Sequence, residues 1–387
     1  MKELTSRERV RTALDHREPD RVPLDLAMTI GAYTKLVRFL GLESVVDAEP
    51  RTNRWETYVP IDQRVMEALN IDIAHLRVQT PRGYPVELPD GSIVDEWGVK
   101  RKRVERSGGG YYWEMVDNPL TEVTVKSLDD YPWPNLLDPY VFEGFEENVR
   151  WWYENTNYAI EVRLETGGLG EQAGFLRGIE KWWMDLATEP EFAMSLMNRL
   201  CDMAIESCRI GIEMVGKYAD IIRFTGWDLG GQNGPIFSPA MVDKMFKPIL
   251  CRQWATVKEL LHKVNPRAKI FFHTCGGIYP LIPILIESGL DILDPLQTTA
   301  AGMDMARIKK EFGDKLTFHG AMDIQRVLPF GTVDQIKEEV RLRIKQLAPG
   351  GGFILAPCHA LQDDTPPENI VAMYQAGKEY GRYPINL

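Results

Sequence analysis

The fold is decided by four short apolar runs in the last third of the chain: Lys269–Cys275 (KIFFHTC), Asp291–Gln297 (DILDPLQ), Leu316–Ala321 (LTFHGA) and Gly352–Cys358 (GFILAPC). Runs of this length and composition are typical of buried strands. Helical patterns lie between them, and the last of these, Thr332–Leu347, stops before a Pro-Gly-Gly-Gly sequence that ends a helix. Strands that alternate with helices predict a parallel sheet.

The same alternation extends toward the N-terminus. Amphipathic helices are predicted over Pro190–Val215 and Pro239–Val264, the second with Ser238 as its N-cap. Eight strand–helix units in one chain favour an α/β fold of the (β/α)8 TIM-barrel type over its main rival, an open doubly wound sheet. The four additional predicted strands are Val22–Leu26, Asp72–Val78, Tyr158–Glu165 and Asp220–Thr225.

Residues 80–135 interrupt this alternation. Glu87–Val99 predicts a hairpin that turns at Asp90-Gly91, and Gly108–Trp113 predicts a third strand. We therefore expect an antiparallel β-hairpin insertion in the N-terminal third of a single TIM-barrel domain that spans residues 1–387.

The composition narrows the class of protein. The 387 residues are 44% hydrophobic and carry a formal net charge of -11, which argues against nucleic acid as the main partner. No apolar run approaches the ~20 residues of a membrane span, and the charged N-terminus lacks a signal-peptide core. The five cysteines form an odd, unclustered set, which favours a reducing compartment over a disulfide framework. These features predict a cytoplasmic protein that does not bind a membrane.

One histidine and two cysteines indicate a candidate metal site. His273 and Cys275 are alternate residues of a predicted strand and therefore face the same way, and Cys358 ends the last predicted strand. One imidazole and two thiolates suit zinc, and three protein ligands leave a fourth position open for chemistry. His359 would point away from this group if the strand continued. The alternative interpretation is two buried thiols and one hydrogen-bonded histidine.

Polar side chains at the carboxyl ends of the predicted strands are further candidates, because the active sites of TIM barrels lie there. Glu165 and Asp228 could equally cap a helix or loop, and His319 could be a hydrogen-bonded core histidine. Asp25 lies near the end of the first strand, where a structural role is more common, and Trp227 is the tryptophan expected to line the pocket. The full set is Asp25, Arg77, Arg163, Glu165, Trp227, Asp228, Gln232, Asn233, Gln297, His319, Asp323 and His359.

Several motifs together resemble one known family. Ser6–Val10 with Pro19–Pro23 looks like the opening signature of the uroporphyrinogen decarboxylase superfamily, and Asp228–Pro235 is similar to its central loop. His273–Gly276 with the later Cys358 is similar to the zinc motif of the corrinoid-dependent methyltransferases in that superfamily. The resemblance therefore extends over nearly the whole chain.

The resemblance implies the methyltransferase branch rather than the metal-free decarboxylases. The decarboxylases carry an arginine-rich segment after the opening signature, whereas Leu24–Ala32 contains no arginine. In the methyltransferase branch, the barrel moves a methyl group from a small methylated substrate to a corrinoid (cobalamin) on a separate corrinoid-binding protein. The resemblance implies zinc as the cofactor of the barrel, held here by His273, Cys275 and Cys358.

We expect from this resemblance an O-demethylase component that acts on a methoxylated aromatic. Glu165, Asp228 or His319 would donate a proton to the leaving oxygen. The open alternatives are a methylcobalamin:thiol methyltransferase with the same residues, a non-catalytic corrinoid-binding barrel, and a metal-free lyase similar to uroporphyrinogen decarboxylase. The expected substrate-binding residues are Asp25, Trp227, Gln232, Asn233 and Gln297.

Overall fold

The computed structural model describes residues 3–43, 59–105, 111–165 and 167–387, and within these ranges seven parallel strands form the main sheet. The strands are β1 (Ile73–Arg77), β2 (Val86–Glu87), β3 (Ile93–Val94), β4 (Lys100–Glu105), β5 (Tyr111–Asp117), β6 (Ala159–Arg163), β7 (Ile221–Phe224), β8 (Gly230–Gly231), β9 (Gly234–Pro235), β10 (Lys269–His273), β11 (Ile292–Asp294), β12 (Thr317–Met322) and β13 (Phe353–Pro357). The spatial order of the main sheet follows the chain, as β1-β6-β7-β10-β11-β12-β13.

Helices cover the outside of the sheet, and the longest was predicted with its observed bounds. The second predicted helix contains a π-helical turn, Val242–Phe246, and Ser238 caps it by accepting a hydrogen bond from the Met241 N–H (3.2 Å). The α-helices are α1 (Ser6–Leu14), α2 (Ile30–Phe39), α3 (Gln63–Leu69), α4 (Phe145–Asn155), α5 (Gly170–Arg177), α6 (Ile179–Thr188), α7 (Pro190–Val215), α8 (Pro239–Met241), α9 (Lys247–Val264), α10 (Ile282–Glu287), α11 (Met305–Phe312), α12 (Val327–Phe330), α13 (Val333–Leu347) and α14 (Pro367–Tyr380).

The segment Val22–Leu26, predicted as the first strand, closes the sheet. Leu24 pairs in parallel with Leu355 of β13, and the Asp25 N–H donates to the Leu355 carbonyl (3.0 Å). On its other side, the Asp72 N–H donates to the Leu24 carbonyl (2.8 Å) directly before β1. This segment therefore lies where the eighth strand of a barrel belongs, and the predicted (β/α)8 architecture is confirmed.

Helix α1 fills the amino-terminal end of the barrel. The Arg9 guanidinium fixes it by donating to Asp20 and to the fully buried Asp72, both at 2.7 Å. Because apolar side chains occupy this lower half of the interior, we expect a ligand to bind at the carboxyl ends of the strands. The residues of this lower core are Val10, Leu14, Ile73, Ala159, Ile221, Phe271, Ile292 and Ile354.

Strands β2 to β5 form a separate antiparallel sheet, inserted in the chain between the neighbouring barrel strands β1 and β6. The hairpin turns at Asp90-Gly91 as predicted, with Gly91 at a φ of +78°. Strand β4, with the sequence KRKRVE, was missed because its charged residues hide the alternation of a strand. The predicted third strand is observed from Tyr111, and its first residues, Gly108–Gly110, lie outside the described residues. In the described part of the chain, no helix is long and apolar enough to cross a membrane.

Candidate metal centre

His273 and Cys275 lie at the barrel mouth, where β10 ends. The strand stops at His273, and the Cys275 Sγ lies 3.3 Å from the His273 Nε2. The Asp228 carboxylate accepts a hydrogen bond from the Cys275 N–H (2.9 Å), and the buried Thr274 hydroxyl accepts one from the Leu229 N–H (3.1 Å). The loop that begins with Asp228-Leu229 therefore holds Cys275 in position beside His273.

Two glycines allow these loops to approach each other. Gly276 has a φ of +95°, and a Cβ at this position would lie 2.1 Å from the carbonyl carbon of Gly230. The Gly276 N–H donates to the Gln297 side-chain oxygen (2.8 Å), which ties the β10 loop to the end of β11. Only glycine satisfies both the backbone angle and the close contact here.

The structure brings a further histidine into this group. One ligand atom each from His273, Cys275 and His359 lies within 4.8 Å of the others, and the two imidazole rings are 5.3 Å apart. The prediction that His359 points away is wrong, because β13 already ends at Pro357 and strand alternation does not reach residue 359. A mixed nitrogen and sulfur donor set at this spacing fits zinc.

Cys358 lines the same cavity as Cys275 and His359, but its thiol faces a carbonyl. The Cys358 Sγ donates to the Leu296 carbonyl at 3.1 Å, and burial raises the pKa of this thiol to about 12. Burial, together with the nearby Asp228 carboxylate, also raises the pKa of Cys275 well above its usual range. Cys358 would have to leave the Leu296 carbonyl to bind a metal, so its role as a ligand stays a prediction.

Below the mouth, carboxylates and imidazoles alternate in a hydrogen-bonded chain. The His273 Nδ1 lies 2.5 Å from one Asp294 oxygen, and the other Asp294 oxygen lies 2.5 Å from the His319 Nδ1. The His319 Nε2 lies 2.9 Å from Asp25, whose second oxygen lies 2.7 Å from the His75 Nε2. The candidate metal ligand His273 is therefore connected to buried groups across the barrel interior.

Glu161 ends this chain, with a carboxylate oxygen 2.7 Å from the His75 Nδ1. Desolvation by burial would lower the pKa of His75, but the Asp25 and Glu161 carboxylates outweigh it and raise the pKa to about 10. The same opposition, with Asp294 and Asp25 as the carboxylates, raises the pKa of His319 to about 9. Both imidazoles are therefore cationic at neutral pH, and each balances the buried carboxylates that flank it.

The candidate ligands Cys275, Cys358 and His359 line a cavity of about 300 Å³. Two of the residues predicted to bind substrate, Gln232 and Gln297, line it as well, as does Asp323. Asn233 does not, because it lies exposed in the turn between β8 and β9. Asp228 is half exposed, with one oxygen 3.9 Å from the His273 Nε2. Asp228 is therefore the predicted catalytic residue that lies next to the candidate metal ligands.

Three predicted site residues have structural places instead. The Glu165 carboxylate accepts hydrogen bonds from the Thr225 N–H and hydroxyl and from the Gly167 N–H, so it joins the loops after β6 and β7. His319 cannot donate to a substrate in the cavity, because both ring nitrogens face buried carboxylates. Asp25, predicted to bind substrate, is one of those carboxylates and is 2% exposed.

Trp227 also departs from its predicted role as a pocket residue. Its side chain is 2% exposed and packs on Phe246, with ring centroids 4.3 Å apart, and on Phe237. A Cβ on Gly170 would lie 1.9 Å from the indole ring, so the start of α5 fits against this side chain. Trp227 therefore supports the central loop from the core side.

Four inward-facing polar residues were not predicted from the sequence: His75, Glu161, Arg223 and Asp294. Each directly follows two apolar residues of its strand, as Glu161 follows Ala159 and Ile160. A polar residue on the inner side of a barrel strand is the signal that could have identified them, because the core of a barrel is otherwise apolar.

Comparison with known proteins assigns the family. Residues 172–380 match the family described as uroporphyrinogen decarboxylase (URO-D). The chain belongs to this family. A curated protein similar to this URO-D member is the methylcobamide:CoM methyltransferase MtaA of Methanosarcina barkeri, with 25% identity over 179 residues that cover 46% of this chain and 50% of MtaA. MtaA of Methanosarcina barkeri strain Fusaro / DSM 804 is 24% identical over 182 residues, with the same coverage.

This URO-D family member thus spans about half the length of the curated relatives that it matches. Among solved structures, it is similar to a methyltransferase from Methanosarcina mazei, with a TM-score of 0.65 and 18% identity over 98% of this chain and 99% of the other. At this level of identity, the structural similarity supports the fold.

Proposed function

We propose that this URO-D family member is a zinc-dependent methyltransferase that works with the cobalt of a corrinoid carried by a partner protein. The observation that carries the proposal is the group formed by His273, Cys275 and His359 at the barrel mouth, with Cys358 in the same cavity. The corrinoid part draws its support from the two MtaA relatives, whose name states transfer from a methylcobamide to CoM.

The side chains of this protein can hold a metal ion in a fixed position. His273 and Cys275 would supply two ligands, and Cys358 or His359 the next. A bound zinc supplies Lewis acidity to the heteroatom that loses or accepts the methyl group. The Asp294 carboxylate can accept a hydrogen bond from the Nδ1–H of His273, which leaves the Nε2 lone pair directed toward Cys275.

Two carboxyl groups near this site can donate or accept a proton. Asp228 lies beside His273 and is half exposed. Burial, and then the neighbouring Asp228 carboxylate, raise the pKa of Glu171 to about 7, so Glu171 is partly protonated at neutral pH. A group with a pKa near the working pH can donate a proton to a leaving oxygen or accept one from a thiol.

The proposal has two candidate directions. In the first, the substrate is a methoxylated aromatic and the methyl moves to cobalt, because zinc suits an oxygen leaving group. In the second, the methyl moves from a methylcobamide to a thiol, and the names of the two relatives favour it. A cavity of about 300 Å³ accommodates a small molecule in either case.

The test is to run both directions on the same zinc-loaded protein. One assay supplies methylcobalamin with 2-mercaptoethanol or 2-mercaptoethanesulfonate, and the other supplies cob(I)alamin with a methoxybenzoate; the cobalamin spectrum reports methyl transfer. Cys275→Ala is the inactive control, and Cys251→Ala, on α9 and apart from the cavity lining, is its matched active control. Transfer in neither direction, with zinc bound, would refute the proposal.

A further inference from the structure

Three arginines lie side by side in the barrel mouth. Arg77 of β1 is the register partner of Arg163 of β6. Glu161 and Val162 of β6 pair with the first two residues of β7, so the same register places Arg163 opposite Arg223. The three residues therefore occupy one level of three adjacent strands, about 5 Å apart between neighbouring backbones.

All three side chains belong to the inner side of the barrel. Glu161 faces inward, because it bonds to His75, and Arg163 is two residues later on the same strand. Arg77 follows His75 at the same interval. Arg223 has terminal nitrogens 3.6 Å from Glu161 and 3.7 Å from Asp294, both interior carboxylates.

The three arginine side chains keep some exposure to solvent. Each is only partly buried, and the Arg223 side chain is 24% exposed, although it stands in the interior of a barrel. Arg163 also donates to the Thr225 hydroxyl (2.7 Å), which holds its guanidinium at the end of β7. The residues stand on rigid strands, where a recognition site keeps its geometry.

Two like charges of this row repel each other. Desolvation by burial, and then the like charge of Arg163, lower the pKa of Arg77 to about 10. An anion held between the guanidinium groups would reduce this repulsion, and the planar donors of a guanidinium match the paired oxygens of an acid group.

We propose that Arg77, Arg163 and Arg223 form an anion site that binds the acid group, a carboxylate or sulfonate, of the small molecule that exchanges its methyl group with the corrinoid. Arg223 connects this site to the metal centre, because it reaches Asp294, the carboxylate that orients His273. A substrate held by its acid group at the arginine row would present its other end toward His273 and Cys275. This assignment of the bound anion rests on the proposed function; the anion site itself does not.

The experiment measures binding of probes that carry no methyl group to transfer. Benzoate and ethanesulfonate are titrated into the zinc-loaded protein by calorimetry, with benzamide as the neutral counterpart of benzoate. The variants are Arg77→Gln and the charge-conserving Arg77→Lys, with Arg209→Gln as the matched control, since Arg209 is paired with Glu206 and Glu213 on the outside of α7. Circular dichroism confirms that each variant is folded.

We expect the anions to bind at least tenfold more tightly than benzamide. Arg77→Gln should weaken anion binding by about 10- to 100-fold, the value of one or two charge-assisted hydrogen bonds, and leave benzamide unchanged. Arg77→Lys should restore part of the affinity, and Arg209→Gln should have no effect. Loss of binding for benzoate alone or for ethanesulfonate alone in Arg77→Gln would identify which acid group the site prefers, and either supports the proposal.

Two results would overturn the inference. Anion binding that is equal in the wild-type protein and Arg77→Gln would show that the arginine row is not the site. Anion binding that survives in Arg77→Gln but disappears in Cys275→Ala would place the anion on the metal. Failure of the proposed function would give a different result: zinc-loaded protein would bind benzoate through Arg77 but transfer no methyl group in either direction.

Discussion

The Nδ1 atom of His273 lies 2.5 Å from the Oδ2 atom of Asp294, at the point where the barrel interior meets the cavity. A carboxylate in this position fixes the tautomer of the imidazole, so that the Nε2 atom, 3.3 Å from the Cys275 sulfur, keeps its lone pair for a metal. Asp294 is held in turn by His319, so the orientation of His273, a candidate metal ligand, depends on buried residues.

The first prediction concerns this carboxylate. Asp294→Asn should weaken zinc binding by about 10- to 100-fold. An amide accepts the hydrogen bond from the imidazole less well than a carboxylate does, and the substitution removes a negative charge near the metal. Competition with a chromophoric chelator measures the affinity. Asp304→Asn, which keeps an N-cap on α11, is the control and should bind zinc normally. Unchanged affinity in Asp294→Asn would show that His273 does not depend on Asp294.

The second prediction separates two costs of a side chain at Gly276, namely backbone strain and the close contact between the two loops of the site. Gly276→Ala and Gly289→Ala both place a side chain at a positive φ, but only Gly276 has a neighbour in contact, the Gly230 carbonyl carbon at 2.1 Å from the added Cβ. Gly289→Ala should cost about 1 kcal/mol of unfolding free energy from strain alone. Gly276→Ala should cost ~1–3 kcal/mol more. Urea unfolding measures both, and equal losses would mean that the loops separate freely.

The third prediction is a dependence of stability on pH. The pKa of His75 is raised from 6.5 to about 10, so between these values the folded protein binds a proton that the unfolded chain does not. The stabilisation is complete below the unfolded pKa and is lost as the pH rises toward the folded one. Wild-type protein should therefore lose more unfolding free energy between about pH 6 and pH 10 than His75→Gln does. Equal losses in the two proteins would contradict the ion pairs of His75 with Asp25 and Glu161.

The fourth prediction concerns the proposed metal ligands. Cys275→Ala should lose zinc and methyl transfer and remain folded, because Cys275 lies in a loop and is only partly buried. Cys251→Ala should keep both. Thermal unfolding monitors the fold, and elemental analysis measures the metal. Full zinc content in Cys275→Ala would remove this thiol from the ligand set.

Most of the fold could be predicted from the sequence, because each strand and helix of a barrel is formed by a short, continuous stretch of residues. The apolar runs and caps around β10 to β13 predicted strands and helices that the structure reproduces. The first strand, Val22–Leu26, was found in the same way, although a single bridge, between Leu24 and Leu355, pairs it with β13. Strand β4 was missed, because its charged residues obscure the period of two.

The site was less predictable, because it depends on which side chains face each other across the barrel. Spacing placed His273 and Cys275 together, since they are neighbours in sequence. The spacing could not show that the His319 Nε2 and the Asp25 Oδ2 lie 2.9 Å apart, because these residues come from opposite ends of the chain. Nor could it show that both side chains turn away from the cavity. It also misplaced His359, whose direction depends on the residue at which β13 ends.

The most direct test of the proposed metal centre is the zinc content of the purified protein, measured with Cys358→Ser and His359→Ala beside the wild type. About one zinc per chain in the wild type, as expected for a catalytic site, and loss of zinc in at least one of the two variants, is the predicted result. The variant that loses zinc identifies the third ligand. Protein prepared without chelators that holds no zinc, and takes up none on titration, would contradict the metal centre and with it the proposed methyltransferase.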